Sequence, residues 1–593
     1  MNQEEKNKRF AAAKEELSTH ISHIQDYKHD LELKTQNLKK EYKDLQDGDK
    51  FVQGKLYLYN KKRIEELEKS VPSPYFMKCH LSRDKNFYLG KFSVPEERIY
   101  SWVTPIASLR FKKPGDVSYT GPEGEIMRGQ LLQKDQFMIT AGKILFFASE
   151  STEYERELIY QDYFSRQKKG FVLAEIVAQM EEAQDKVIRA HLKGSLLISG
   201  PAGSGKTTLA LHRVAYLAQS PELSDYFKPH SIIVFVQDKG SKEYFSALLP
   251  DLGIHGVHIM TFFEWGCGIL DLDQSYKEVY RFGDDEIEKD VYEYKKKQAF
   301  SFMHKVEFAK DIYGILEKVY SHMFSEKEHL VFQKQKKRKV LDRFDMVILL
   351  QLFKKKYGQI TLMQDYYKMK KGNEAQKSVG RFPVSYSLMI FDEFQNYLPE
   401  EILLAKSTVD EQKQAIMYVG DIAQQTKLMS LQKWEDVHEH FAEDRQVVLQ
   451  KVYRNTKHIL EYIQGQGYDI EIGENLVLGK PVIERSFNSQ KEEKEFIEIV
   501  LQEHTDKQIA VLARNKAYFD IFGSQSDNVH LLTLHEAQGL EFNVVIFAEF
   551  DKVGDIEKYK KSHPDLYEEK LKQEKDLKYV GLTRAIEQLI VLK

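Results

Sequence analysis

Apolar and polar positions follow several rhythms along this chain, and each rhythm predicts a different architecture. From residue 17 the apolar side chains recur at heptad spacing: Leu17, Ile21, Ile24, Lys28, Leu31, Thr35, Leu38, Tyr42 and Leu45. All but Lys28 and Thr35 are apolar, and the residues between are mostly charged or polar. Such a narrow a/d seam predicts a coiled coil. Asp47-Gly48-Asp49 reads as a turn, and a second helical stretch with Phe51, Leu56, Tyr59, Ile64 and Leu67 runs on to Pro72 and Pro74. An antiparallel helical hairpin over residues 1–72 is the natural arrangement. The alternative is a helical pair packed flat on the body.

Past residue 73 the rhythm shortens. Runs such as "NFYLGKFSV" and "KILFFAS", separated by "KKPGD" and "YTGPEGE", predict a small β-rich unit over 73–150. From about residue 195, short apolar runs alternate with helical stretches: SLLIS, SIIVFV, SLMIF, AIMYV, QIAVL, NVVIFA and QLIVL. That alternation predicts parallel sheets covered by helices. Residues 265–383 interrupt it with a stretch rich in Lys, Tyr and Phe, which reads as a helical insertion whose aromatics mostly pack.

Composition narrows the picture. A chain of 593 residues is too long for one hydrophobic core, so several domains are expected. A net charge of −4 excludes a globally basic protein, so any surface for nucleic acid must be local. Two cysteines, Cys79 and Cys267, cannot build a disulfide framework or a zinc site. The start "MNQEEKNKRF" lacks a signal-peptide pattern, and no apolar run approaches membrane-spanning length. A cytoplasmic protein is expected.

The chemistry is concentrated in a few blocks. Gly200, Pro201, Ala202, Gly203, Ser204, Gly205, Lys206, Thr207 and Thr208 fit G-x-x-x-x-G-K-[ST], between a strand and an Ala/Leu-rich helix. Glycines there let backbone N–H groups wrap phosphates at a helix N-terminus. Lys206 is expected to reach the β/γ-phosphates of ATP, and the Thr207 hydroxyl to ligate Mg²⁺. "SLMIFDEFQN" ends a strand on Asp392-Glu393. Asp392 would hold Mg²⁺ and Glu393 would polarise the attacking water.

Further blocks follow in order: "YVGDIAQQ", "KVYRNT", "LLTLHEAQGLEFNVVIF" and "LKYVGLTRAIEQLIVL". Together with the two acidic and phosphate-loop blocks, over residues 184–593, they resemble the motifs of superfamily 1 helicases of the UvrD/Rep group. The resemblance implies that Gln184 recognises adenine, Gln424 senses the γ-phosphate, Tyr453 stacks on the base and Glu541 contacts the ribose. Arg454 and Arg584 would be arginine fingers across a cleft between two RecA-like domains. Two cations aimed at developing phosphate charge are what hydrolysis needs. It also implies that Thr261, Thr533, His535 and residues 237–241 face single-stranded DNA. Here the match is looser: Gln538 stands where the group usually has Lys, and "DEFQN" replaces the more usual acidic block. Only 79 residues separate Arg454 from Thr533, too few for the large subdomain such enzymes carry there.

A second resemblance takes in nearly the whole chain. "SPYF", "FYLGKFSV", "RIYSWVTPIASLRF", "GDVSYTGPEGEIMRGQL", the long stretch through the phosphate loop and "LLPDLGI" are similar to HelD-like ATPases that act on bacterial RNA polymerase. Ser101, Val103 and Thr104 depart from the charged pattern of that family. This resemblance implies that the N-terminal hairpin enters a channel of RNA polymerase, with Asp44, Asp47 and Asp49 at its tip near a metal or a basic wall. A solvated turn is the plain alternative for the tip. "KQKKRK" over 334–339 could meet phosphates or an acidic partner, or simply be a solvated helix face.

The expected fold is α/β: two RecA-like P-loop NTPase domains with a helical insertion, an N-terminal antiparallel coiled-coil hairpin and a small β-rich extension. The expected boundaries are 1–72 for the hairpin and 73–150 for the extension. The first RecA-like domain takes 151–264 and 384–430 around the insertion 265–383, and the second takes 431–593. The expected activity is Mg²⁺-dependent ATP hydrolysis driving removal of RNA polymerase from nucleic acid. A 3′→5′ DNA helicase and an ATP-gated binding switch are the two other readings.

Overall fold

The structure, a computed structural model, describes residues 3–41, 47–82, 86–120, 125–151, 182–201, 204–220, 222–279, 281–282, 286–369, 375–412, 414–449, 455–472, 476–523, 526, 528–552 and 556–593. The chain divides into two compact units. The first comprises Met1–Arg189, Arg213–Asp225 and Leu248–His255, and the second comprises Ala190–His212, Tyr226–Ala247 and Gly256–Lys593.

In the first unit, helices α1 (Gln3–Glu41) and α2 (Asp47–Ser70) precede a six-stranded, mainly antiparallel sheet. Its strands are β1 (Met77–Leu81), β2 (Phe87–Gly90), β3 (Ile99–Ser101), β4 (Gly115–Thr120), β5 (Ile126–Thr140) and β6 (Lys143–Ser151), in the order β3-β2-β1-β5-β4 with β6 also on β5. The heptad positions do two jobs. Ala13, Leu17 and Ile24 are buried against Tyr75, Tyr88, Phe137 and Phe147 of the sheet, where each large side chain contributes about 1.5–3 kcal/mol. Glu16 accepts from Lys78 Nζ at 2.7 Å and from Tyr88 Oη at 3.1 Å. So the root of α1 lies on the β-rich body, as the flat-packed alternative has it. Further out, Lys28 meets Glu68 of α2 at 3.8 Å, while Val52, Leu56, Leu58 and Tyr59 of α2 are exposed. Asp47-Gly48-Asp49 opens α2 instead of forming the expected turn. Asp44 lies outside the described residues, as do the side chains of Asp47 and Asp49.

The second unit holds two parallel sheets. The first contains β7 (Ser195–Ser199), β8 (Ile232–Phe235), β9 (His258–Met260), β12 (Leu388–Asp392), β13 (Ile416–Gly420) and β14 (Gln446–Val448), in the order β14-β7-β13-β12-β8-β9. Its inner strands are continuous apolar runs because both faces are covered. Strand β14 pairs with β7, so this sheet extends past the expected boundary at 430. The second sheet contains β15 (Ile483–Arg485), β16 (Ile509–Ala513), β17 (Val529–Thr533), β18 (Phe542–Phe547) and β19 (Ala585–Leu592), in the order β15-β19-β18-β16-β17.

The insertion shares a core with the first sheet: Tyr292, Tyr313, Tyr320, Phe332, Phe344 and Phe353 join Phe235 and Phe391. The aromatics therefore pack, as expected. Lys296 is fully buried and donates to Asp342 at 2.6 Å, Asp345 at 2.8 Å and Gln335 at 3.0 Å, so its charge is matched. The insertion is not wholly helical. It ends in an antiparallel ribbon of β10 (Thr361–Met369) and β11 (Ala375–Pro383), with the Arg381 guanidinium 4.4 Å from the Tyr357 ring. The basic run at 334–339 is largely engaged within the insertion. Gln335 is buried, Lys336 pairs with Glu317 at 3.4 Å, Arg338 sits over Phe282, and Lys339 donates to Ser275.

Candidate nucleotide site and the cleft beside it

Strand β7 delivers the chain into the phosphate loop, and helix α3 (Lys206–Gln219) carries it away. Gly200 has φ +150°, and a Cβ there would run into the Leu449 carbonyl just after β14. Gly205 has φ +87°, which disfavours any residue with a side chain. Ala202 and Gly203 lie outside the described residues. Lys206 Nζ donates to the carbonyls of Gly200 at 2.8 Å and Pro201 at 3.0 Å, holding a cation over the loop at the positive end of α3. Among the described residues the buried Ser204 hydroxyl has no hydrogen-bond partner. A cation, a helix N-terminus and an orphan hydroxyl fit an incoming phosphate. Thr208, two residues past Lys206, accepts from His212 Nδ1 on its carbonyl at 2.8 Å.

Thr207 Oγ1 donates to Asp392 Oδ1 at 3.1 Å, which joins the two expected metal ligands. Asp392 is buried at the end of β12. Burial first, and then the charge of Glu393, pushes its carboxyl well above the ordinary range, against the pull of Thr207 and Lys206. Two adjacent carboxylates with one half-buried hydroxyl suit a hard divalent cation.

Glu393 sits in the left-handed region at φ +52°, so its side chain leaves the strand in a different direction from Asp392. Gln395 Nε2 holds Glu393 Oε2 at 2.6 Å, while Gln395 Oε1 accepts from the Asp421 backbone N–H at 3.0 Å. Asp421 in turn accepts from Gln424 Nε2 at 2.7 Å. One side-chain amide therefore joins Glu393 to the loop of Gln424. Asn396 Oδ1 accepts from the backbone N–H of Thr426 at 2.9 Å, and Thr426 Oγ1 donates to Gln538 Oε1 at 2.6 Å. The Gln that departs from the usual Lys thus bridges the two sheets' domains. Sequence reasoning missed Gln395 and Asn396 as linkers, although they stand within three or four residues of Asp392.

From the second sheet, Arg584 is buried just before β19. It donates to Val580 O at 2.9 Å, Leu540 O at 3.2 Å and Thr583 Oγ1 at 3.0 Å. Burial lowers its proton affinity, and the charge of Glu393 acts on it in the opposite sense. The acid expected to polarise water and the cation expected to neutralise phosphate charge are therefore within electrostatic reach. Glu541 follows Leu540 and is half-buried. Tyr453 and Arg454 lie outside the described residues, and Gln184 stands on Glu182–Arg189 with its side chain outside them. That helix is fastened within the first unit: Arg189 donates to the carbonyls of Trp102 at 2.8 Å and Val103 at 3.1 Å, and Arg110 pairs with Asp185 at 2.8 Å.

The residues expected at a strand of DNA have partners or charged neighbours within the chain. Thr261 caps Phe262–Leu270, accepting from the Glu264 N–H at 3.1 Å in a reciprocal box. Thr533 is buried and bonded to Glu536 at 2.9 Å. His535 is held well below its ordinary pKa, first by burial and then by Arg281 and Lys570. The signal missed in the sequence is helix α6 (Pro564–Thr583), on which Gln573 donates to Thr426 O at 2.7 Å and Asp576 accepts from the Gln425 N–H at 3.1 Å.

A phosphate loop, an acidic strand end and a second parallel sheet that brings up an arginine define a two-domain P-loop NTPase. Residues 180–426 match the UvrD/REP helicase N-terminal domain, and residues 520–593 match the UvrD-like helicase C-terminal domain. Together these matches take in more than half of the chain, which belongs to the UvrD/Rep superfamily 1 helicases and is an ATP-hydrolysing, helicase-like enzyme. A comparison with curated proteins returns no match. Among the described residues no helix is long and apolar enough to cross a membrane.

Proposed function

We propose that this ATPase uses hydrolysis to displace RNA polymerase from nucleic acid and recycle it. In this reading Lys206 and Ser204 hold the β/γ-phosphates, Glu393 orients the attacking water, and Arg584 and Arg454 stabilise the charge that develops on the transferred phosphoryl group. Thr207 and Asp392 would hold Mg²⁺, which would supply positive charge to offset that of the phosphates. Gln424 and Asp421 relay the phosphate state through Gln395 to Glu393, and Thr426–Gln538 carries it between domains.

The observation that carries the partner assignment is α2. Val52, Leu56 and Tyr59 recur at helical spacing and are 64%, 45% and 67% exposed, a stripe suited to a groove in another protein. It lies in a part of the chain that neither family match reaches and that resembles HelD-like ATPases. Because α1 helps build the core of its unit, deleting residues 1–72 would expose that core. The sharper test is Leu56→Lys with Tyr59→Ser. The full chain should retain RNA polymerase subunits from the source extract, and this variant should lose them with unchanged folding. Equal retention would remove α2 from the contact, and absence of polymerase from both would sink the assignment.

Membership in a helicase family supports the second reading, a 3′→5′ translocase on single-stranded DNA. Strong stimulation of ATP turnover by single-stranded DNA alone would favour it.

A further inference from the structure

Asp290 is fully buried and far in sequence from every motif of the nucleotide site. It lies on helix α4 (Glu286–Gln298) of the insertion. Its carboxylate accepts from Arg281 of the same insertion, and from Lys570 at 2.9 Å and Tyr559 Oη, both from the second domain. Lys570 also donates to Gln573 at 2.9 Å and meets Glu574 at 3.7 Å, and Arg514 grips Glu574 with both terminal nitrogens. A buried carboxylate satisfied by three donors fixes geometry, since removing one partner leaves a charge stranded.

What Asp290 fixes is α6. Lys570 stands in its second turn, Gln573 and Asp576 bind the Gln425–Thr426 backbone in its middle, and Arg584 is its C-terminal cap. These contacts lie on one continuous helix, so α6 links the insertion to Arg584, which is within electrostatic reach of Glu393. We infer that Asp290 is a positioning residue for ATP hydrolysis: by gripping Lys570 it sets the placement of Arg584 against Glu393. The insertion thereby gains a route to the rate of turnover, and whatever engages it can raise or lower that rate. The inference rests on Arg584 acting as the transition-state cation.

The test measures ATP turnover of the full chain bearing Asp290→Asn, Lys570→Met or both, below the melting temperature of each variant. Each single change should lower kcat about tenfold while KM for ATP stays within about twofold, and the double variant should be no slower than the worse single. Asp290→Glu should recover part of the loss. If Asp290→Asn does not fold, Tyr559→Phe decides, because it removes one hydroxyl and keeps the charge pair; it should cost about threefold in kcat. Wild-type kcat in a folded Asp290→Asn or Tyr559→Phe protein, a change in KM alone, or an additive double variant would overturn the inference. Arg584→Ala, run in parallel, separates the two failures. If it keeps full turnover, the role of Arg584 falls and this inference with it. If it is slow while Asp290→Asn is fast, only the role of Asp290 falls.

Discussion

Asp392 and Asp290 are both buried carboxylates in the second unit, and they are satisfied in opposite ways. Asp290 receives Arg281, Lys570 and Tyr559. Asp392 receives the Thr207 hydroxyl beside a like charge on Glu393. A saturated buried acid is a joint, whereas one that lies beside a second carboxylate with a single hydroxyl donor has the chemistry of a cation ligand. The difference separates scaffold from site without reference to any motif.

The largest effects should come from the under-satisfied side. Lys206→Ala should abolish ATP turnover, and Glu393→Gln should leave ATP bound but unhydrolysed; a normal rate in either variant would contradict the assignment. Arg584→Ala should spare ATP binding and slow hydrolysis by about 10³-fold, on the scale of arginine fingers. Weak binding with unchanged chemistry would instead make Arg584 a binding residue.

Stability should split the two acids by sign. Asp290→Ala leaves Lys570 and Arg281 facing an empty site and should cost about 3–5 kcal/mol in denaturant unfolding. Asp392→Asn should stabilise the metal-free protein near pH 8. The folded carboxyl of Asp392 is raised above its unfolded value. Ionising it in the folded state therefore costs stability above that raised value, and the cost fades as pH falls toward the ordinary carboxylate range. The gain of the Asn variant should shrink correspondingly at pH 5, and Mg²⁺ should stabilise only the wild type. Thermal melts with chelator or Mg²⁺ at both pH values check this, and destabilisation by Asp392→Asn at pH 8 would equate the two acids. Smallest of all, Thr261→Ala should cost about 1 kcal/mol, as loss of an N-cap does. A larger loss confined to nucleic-acid binding would return Thr261 to the role expected of it.

The nucleotide corner was legible because its geometry is local. Glycines at 200 and 205, the lysine that begins a helix and the acid that ends a strand all announce themselves within a few residues. The buried strands were legible as apolar runs bounded by turns. Lys570, Gln573 and Asp576 were not, because polar residues three apart on a helix look like a solvated face until another domain covers them. The same holds for Asp290 and for His535, whose cationic neighbours come from distant parts of the chain. Asp47-Gly48-Asp49 misled for another reason: turn residues are also good helix starters.

Helix α6 also sets a mechanical scale. Fourteen residues separate Lys570 from Arg584, so at 1.5 Å of rise per residue the lever between them is about 21 Å long, and a tilt of about 5° at its base swings the guanidinium by about 2 Å. That is enough to break a hydrogen bond outright. If Arg584 acts as proposed, thermal rocking at the foot of this helix has to be suppressed, and a small push there would disengage it.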